Sequence, residues 1–154
     1  AYSKKILGYD VSDSLNTIGA LNALKMAIKN RRYKTEELIH HSDRGIQYCS
    51  DLYQKMLKTN QIECSMTEKY DPYQNAIAER INGIIKQEFI GDVQISSIEL
   101  MQALIKESVL IYNKERPHFS CALNTPQVMH QQRILKRKTY KTKKQNTPIV
   151  EYSA

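Results

Sequence analysis

"HHSDRGIQYCS", residues 40–50, sets one aspartate between a histidine pair and an Arg-Gly turn, and its reading decides the fold. The preceding "ELIH" is apolar and β-prone enough to predict a short strand, stopped by "DRG" because Gly45 supplies turn geometry that residues with side chains resist. Asp43 is thereby placed at the C-terminal end of a strand. Ser50 is the expected N-cap of a helix reaching about Thr59, with Leu52, Tyr53, Met56 and Leu57 on one face. "IECSMT", residues 62–67, is the next strand.

Outward from this centre, strands and helices alternate. "KKILGYDV", residues 4–11, reads as a strand, with Ser12, Asp13 and Ser14 as candidate N-caps for a helix from Leu15 to about Asn30. Its apolar stripe is Leu15, Ile18, Leu21, Leu24 and Ile28. After the polar loop "EKYDPYQ", a helix is expected from about Asn75 through "AIAERINGIIKQEF", with Ile77, Ile81, Ile84, Ile85 and Phe89 on its apolar side. Ser96 and Glu99 have capping-box spacing for a further helix carrying Met101, Leu104, Ile105, Val109 and Tyr112. Pro117 ends it, and a short helix over Gln127 to Leu135 leads into a loosely held tail. The pattern is α/β, where ligands gather at the carboxyl ends of strands.

The 154 residues are one domain's length, with 41% hydrophobic and 25% charged residues. No apolar run approaches the roughly 20 residues that span a bilayer, so no membrane association is expected. Cys49, Cys64 and Cys121 form no CxxC pair, which fits a reducing, cytoplasmic setting. The net charge of +7 is concentrated in "RILKRKTYKTKK", residues 133–144, which holds seven Lys and Arg and no acid. The rest of the chain is therefore neutral on balance, and residues 1–130 read as a core followed by a basic tail, residues 131–154. That tail, with Lys136, Arg137 and Lys138, is either a DNA-contacting segment or a solvated charge run.

Two carboxylates stand out. Glu79 lies one turn inside the third helix, with 35 residues between it and Asp43, and Asn75, Glu79 and Lys86 fall on nearly one face. A carboxylate pair with a nearby ammonium suits a divalent cation and a DNA phosphate. A solvated helix surface and an ordinary turn aspartate account for the same residues. A thiol enzyme built on Cys49, or zinc held by His40, His41 and Cys49, is disfavoured because adjacent strand residues point to opposite faces. No Gly-aromatic RNA-binding pattern is present.

"HHSDRGIQYCS", "NAIAERINGIIKQEF" and "YNKERPHFSCALNTPQVMH" together resemble the catalytic core of bacterial insertion-sequence transposases of the third-insertion-sequence group, within the retroviral-integrase-like DDE superfamily. Three blocks occur in order with the Asp-to-Glu interval of that superfamily, and the likeness runs to about His130. The resemblance implies a ribonuclease H-like fold, here lacking its first strands, with helices packed on a small mixed sheet. It implies Asp43 and Glu79 as catalytic metal ligands, Lys86 as a contact to the transposon end, and Asn75, Arg80 and Arg116 on the DNA-facing side. It also implies dependence on Mg²⁺ or Mn²⁺, two ions about 4 Å apart in a complete site, DNA as partner, and a nucleoid-associated life in a bacterium.

The same resemblance places the first aspartate of the triad upstream of Ala1. Asp10 and Asp13 lie 33 and 30 residues before Asp43 and align with other elements. The expected function is DNA transposition by metal-dependent strand cleavage and strand transfer, with this chain alone weakly active or inactive; the alternative is a non-catalytic DNA-binding or assembly role. An exposed sheet edge next to "ELIHHSD" is expected to favour a homo-oligomer or a different partner for "KKILGYDV".

Overall fold

The structure, a computed structural model, describes residues 1–14, 16–68 and 75–132. Leu15, the loop 69–74 and the basic segment with Lys136, Arg137 and Lys138 lie outside the described residues. In chain order the elements are α1 (Thr17–Lys29), β1 (Leu38–Ser42), α2 (Ile46–Cys49), α3 (Asp51–Thr59), β2 (Ile62–Met66), α4 (Ala76–Ile84), a π-helical turn (Ile85–Ile90), α5 (Ile98–Lys114), a 3₁₀ turn (Phe119–Cys121) and α6 (Pro126–Gln131).

β1 and β2 pair in parallel, from Leu38 opposite Ile62 to Ser42 opposite Met66, with α2 and α3 as the crossover. Ser50 caps α3 as expected, its hydroxyl accepting from the Tyr53 N–H. Only part of each predicted stripe is buried. Leu21 and Leu24 of α1 meet Tyr53 and Leu57 of α3 and Ile62 of β2 in one cluster, whereas Ile18 and Leu52 face solvent. Burial of each such side chain contributes about 1.5–3 kcal/mol.

Residues 4–11 are not a strand. They run without regular secondary structure against α1 and α5, mostly half-buried, with Lys4 at a φ of 59°, and side chains occupy backbone groups that a neighbouring strand would otherwise take. The Ile6 N–H donates to Asn113 Oδ1 at 3.0 Å, and Asn113 Nδ2 returns a bond to the Ile6 carbonyl at 2.9 Å. Asn30 Nδ2 donates to the Leu7 carbonyl, and the Tyr112 hydroxyl to that of Lys4. Gly8 permits this seat, because a Cβ there would lie 2.0 Å from the Ala23 carbonyl oxygen. The candidate caps Ser12, Asp13 and Ser14 are likewise displaced: Asn16 is the N-cap of α1, without a side-chain bond.

The third helix is not α-helical throughout. Ile81, Ile84, Ile85, Phe89 and Ile90 all join the second core cluster, around Tyr112. Continued at 3.6 residues per turn, the helix would turn Glu88, four past Ile84 and three past Ile85, toward that core. The wider π turn inserts the extra residue, so that Phe89 and Ile90 pack inward and Glu88 faces out; it closes with Gly91 N–H to the Lys86 carbonyl at 2.9 Å. Ile77, expected on the apolar side, is exposed. The cap of α5 is Ser97 rather than Ser96: Ser97 is the extended residue, and its Oγ accepts from the Leu100 N–H at 3.2 Å. α6 starts at Pro126 with Thr125 as its cap and ends at Gln131, short of the expected Leu135.

Candidate active site on the loop after β1

Asp43 stands just past β1 and is exposed, while Ser42 before it is buried. Its Oδ1 accepts from the Gly45 N–H at 2.9 Å, a local Asp turn that leaves Oδ2 without a hydrogen-bond partner among the described residues. Gly45 has an ordinary φ of −56°, so the left-handed freedom expected of it is not used. The Gln47 carboxamide folds back over Gly45: a Cβ there would fall 2.6 Å from Gln47 Nε2, a flexible side-chain end that can shift. Beneath the loop, Tyr48, Tyr53 and His40 form an aromatic triangle with ring centroids 5.3–6.1 Å apart, and the Tyr53 hydroxyl bonds His40 Nε2 at 2.9 Å. This prop was not foreseen; the one cue was the recurrence of His40, Tyr48 and Tyr53 around the loop.

Glu79 sits in the first turn of α4, where the helix dipole favours a negative charge, and is exposed. Asn75 occupies the N-cap position of α4 without a side-chain capping bond, and Arg80 is exposed. An open, largely apolar cavity of about 910 Å³ is lined by Gln47 and Tyr48 of α2, which follows the Asp43 loop, by Ala78 and Asn82 of α4, and by Lys86 of the π turn. Asp43 and Glu79 themselves do not line it. The structure thus brings α2, next to the Asp43 loop, and α4 to one cavity and puts Lys86 on its border.

Carboxylate oxygens are the donors that Mg²⁺ and Mn²⁺ take, and Mg²⁺ is commonly held by one or two carboxylates completed by water and substrate phosphates. The chemistry of Asp43 and Glu79 fits such an ion. Among the described residues no set of three or more His, Cys, Asp or Glu gathers to hold a metal.

Arg116 is occupied elsewhere. Its Nε and Nη2 donate to the two oxygens of Glu88, both at 2.6 Å, and this pairing holds the Glu88 carboxyl below the usual range. The pair ties the end of α5 to the π turn, and His118 packs edge-on to Tyr112 at 5.2 Å. Arg116 and His118 therefore tie the segment after α5 to the π turn and to Tyr112.

Burial holds His40, His118 and His130 below their ordinary value of 6.5, reinforced at His118 by Arg116 and at His130 by Lys5. A histidine kept neutral by the fold contributes stability that is complete above about pH 6.5 and is lost as the pH falls toward its lower folded value. The melting temperature is therefore expected to decline between pH 7.5 and pH 5, before Glu88 is protonated. A melting temperature constant over that range would contradict the burial of these rings.

Two models, both of the integrase core domain, match residues 1–72 and 60–126. The transposase InsF for insertion sequence IS3A of Escherichia coli (strain K12) is 34% identical over 127 residues, covering 82% of this chain and 44% of the relative. That for insertion sequence IS3fB is 33% identical over 134 residues, 86% of this chain and 46% of the relative. The chain thus spans less than half the length of these curated relatives. Among solved structures, the simian T-cell lymphotropic virus intasome in complex with PP2A regulatory subunit B56 gamma aligns with a TM-score of 0.63 and 18% identity, over 89% of this chain and 48% of that one. The HTLV-2 integrase catalytic core domain in complex with magnesium (trimeric form) aligns at 0.54 and 19%, over 75% and 70%. The fold is accordingly a ribonuclease H-like core of the retroviral integrase kind. Within that class, the chain belongs to the integrase core domain family, among the transposases of IS3-type insertion sequences.

Proposed function

We propose that this chain is the part of an insertion-sequence transposase core that positions DNA for strand cleavage and strand transfer, with Asp43 and Glu79 as carboxylate ligands of Mg²⁺ or Mn²⁺. The observation that supports the reading is that α2, directly after the Asp43 loop, and α4 line one cavity that Lys86 also borders. A bound divalent ion would supply Lewis-acid activation of a phosphodiester and of the attacking hydroxyl. Asp43 offers Oδ2 to it while the Gly45 N–H fixes Oδ1, and Glu79 offers its carboxylate from the first turn of α4. Lys86 attracts the DNA backbone as a flexible point charge, with Asn75 and Arg80 on the same helix as further contacts. The basic segment with Lys136, Arg137 and Lys138 adds sequence-independent affinity, and two or more copies act together on the transposon ends.

Mn²⁺ titration followed by electron paramagnetic resonance tests the reading. Binding is expected for the wild-type chain and is expected to be lost in both Asp43→Asn and Glu79→Gln. In DNA-binding assays Lys86→Ala should reduce the slope of log affinity against log salt by about 1. A second reading, DNA binding or assembly without chemistry, draws on the fact that among the described residues no three His, Cys, Asp or Glu gather to hold a metal. Salt-dependent DNA binding in a chain that takes up no Mn²⁺ would favour it.

A further inference from the structure

We infer that Arg44 is a positioning residue for Asp43, its side chain acting as one extra rung of the β1–β2 ladder. The inference rests on the proposed reading of Asp43 as a metal ligand. The regular pairing of the two strands ends at Ser42 opposite Met66. Beyond it, the Thr67 N–H donates to the Ser42 carbonyl at 3.0 Å, and Arg44 Nε donates to the Thr67 carbonyl at 2.9 Å. One peptide residue of the neighbouring strand's extension is thus gripped on both sides of Asp43, by the residue before it through the backbone and by the residue after it through a guanidinium. The next residue is fixed as well: the Gly45 N–H holds Asp43 Oδ1, and the Gly45 carbonyl accepts from the N–H groups of Tyr48 and Cys49. The backbone on either side of the aspartate is restrained while Oδ2 is left open.

The solvent exposure of Arg44 says what kind of role this is. A hydrogen bond at an exposed site adds little to folding stability, but it restricts the directions in which a short side chain such as Asp43 can point. Groups that orient a metal ligand without touching the metal commonly alter affinity by about 10–100-fold. The geometry depends on the Nε position within the guanidinium. Lysine has a methylene at that point and its ammonium one atom further out, so it keeps the charge and loses the rung.

The test compares wild type, Arg44→Ala, Arg44→Lys and Asp43→Asn by Mn²⁺ titration and by ¹⁵N relaxation of the Gly45 amide in the metal-free protein. Both Arg44 variants are expected to retain the wild-type circular dichroism spectrum, to bind Mn²⁺ about 10-fold more weakly, and to show a more mobile Gly45 amide. Arg44→Lys behaving as wild type while Arg44→Ala does not would assign the effect to charge and overturn the rung. Both variants matching wild type in Mn²⁺ affinity and Gly45 relaxation would overturn it too. Asp43→Asn retaining wild-type Mn²⁺ affinity would instead sink the metal-ligand reading. In that case the relaxation data still decide whether Arg44 restrains the loop.

Discussion

Tyr112→Ala is expected to lower the folding free energy by about 3–5 kcal/mol, the range for emptying a buried aromatic site. Tyr112 is 0% exposed and forms the second core cluster with Ile84 and Ile85, against which Ile6, Ile81, Phe89, Ile90 and Ile105 pack. Its removal would leave a void walled by four elements that cannot close on it together. The hydroxyl contributes separately by donating to the Lys4 carbonyl at 3.0 Å, and burial pushes its pKa up to about 12, so the phenol stays neutral at working pH. Tyr112→Phe isolates that bond and should cost about 1 kcal/mol. Urea denaturation of the three proteins measures both figures; equal losses in the two variants would mean that the ring is not packed as described.

Asn113→Ala should have the next largest effect, through loss of pairing more than loss of volume. The Asn113 amide accepts from the N–H of Ile6 and donates to its carbonyl, standing in for a neighbouring strand. A backbone group left unpaired costs about 1–3 kcal/mol when buried and falls toward the lower part of that range when partly buried, so the pair is expected to cost about 2–4 kcal/mol. Asn113→Asp keeps the acceptor but sets a buried carboxylate oxygen against the Ile6 carbonyl, and should be at least as destabilising as alanine at neutral pH. Faster hydrogen exchange at the Ile6 amide in both variants is the local signature. Exchange at the wild-type rate would show that residues 4–11 are held by Gly8 and its packing on α1 alone.

The elements legible in the sequence were those whose local signals agree with their packing. β1, α3 with its Ser50 cap, β2, and the bodies of α1 and α5 combine periodicity, caps and turn residues in one consistent pattern. The exceptions are places where a distant group competes. Residues 4–11 have strand composition, yet Asn113, Asn30 and Tyr112, between 23 and 108 positions away, take up their backbone. The π turn exists because Tyr112 and its neighbours accept Phe89 and Ile90 but not Glu88, which a periodicity window inside one helix cannot register. Arg116 reads as a DNA-facing cation in the "RPH" block, and only the fold reveals Glu88, 28 residues earlier, as its partner.

By itself the sequence determined the α/β class, the position of Asp43 at the end of a strand, the place of Glu79 in the first turn of a helix, and the resemblance to insertion-sequence transposases. These follow from local propensity, from spacing along one element and from motif order, none of which needs the chain to be folded. The tertiary structure alone decided that α2 and α4 border a common cavity with Lys86, and that the Arg44 side chain reaches the Thr67 carbonyl past the end of the sheet. Each of those depends on which surfaces meet across the fold. Such meetings are set by the joint packing of α1, α3, α4 and α5, a property of no single stretch of residues.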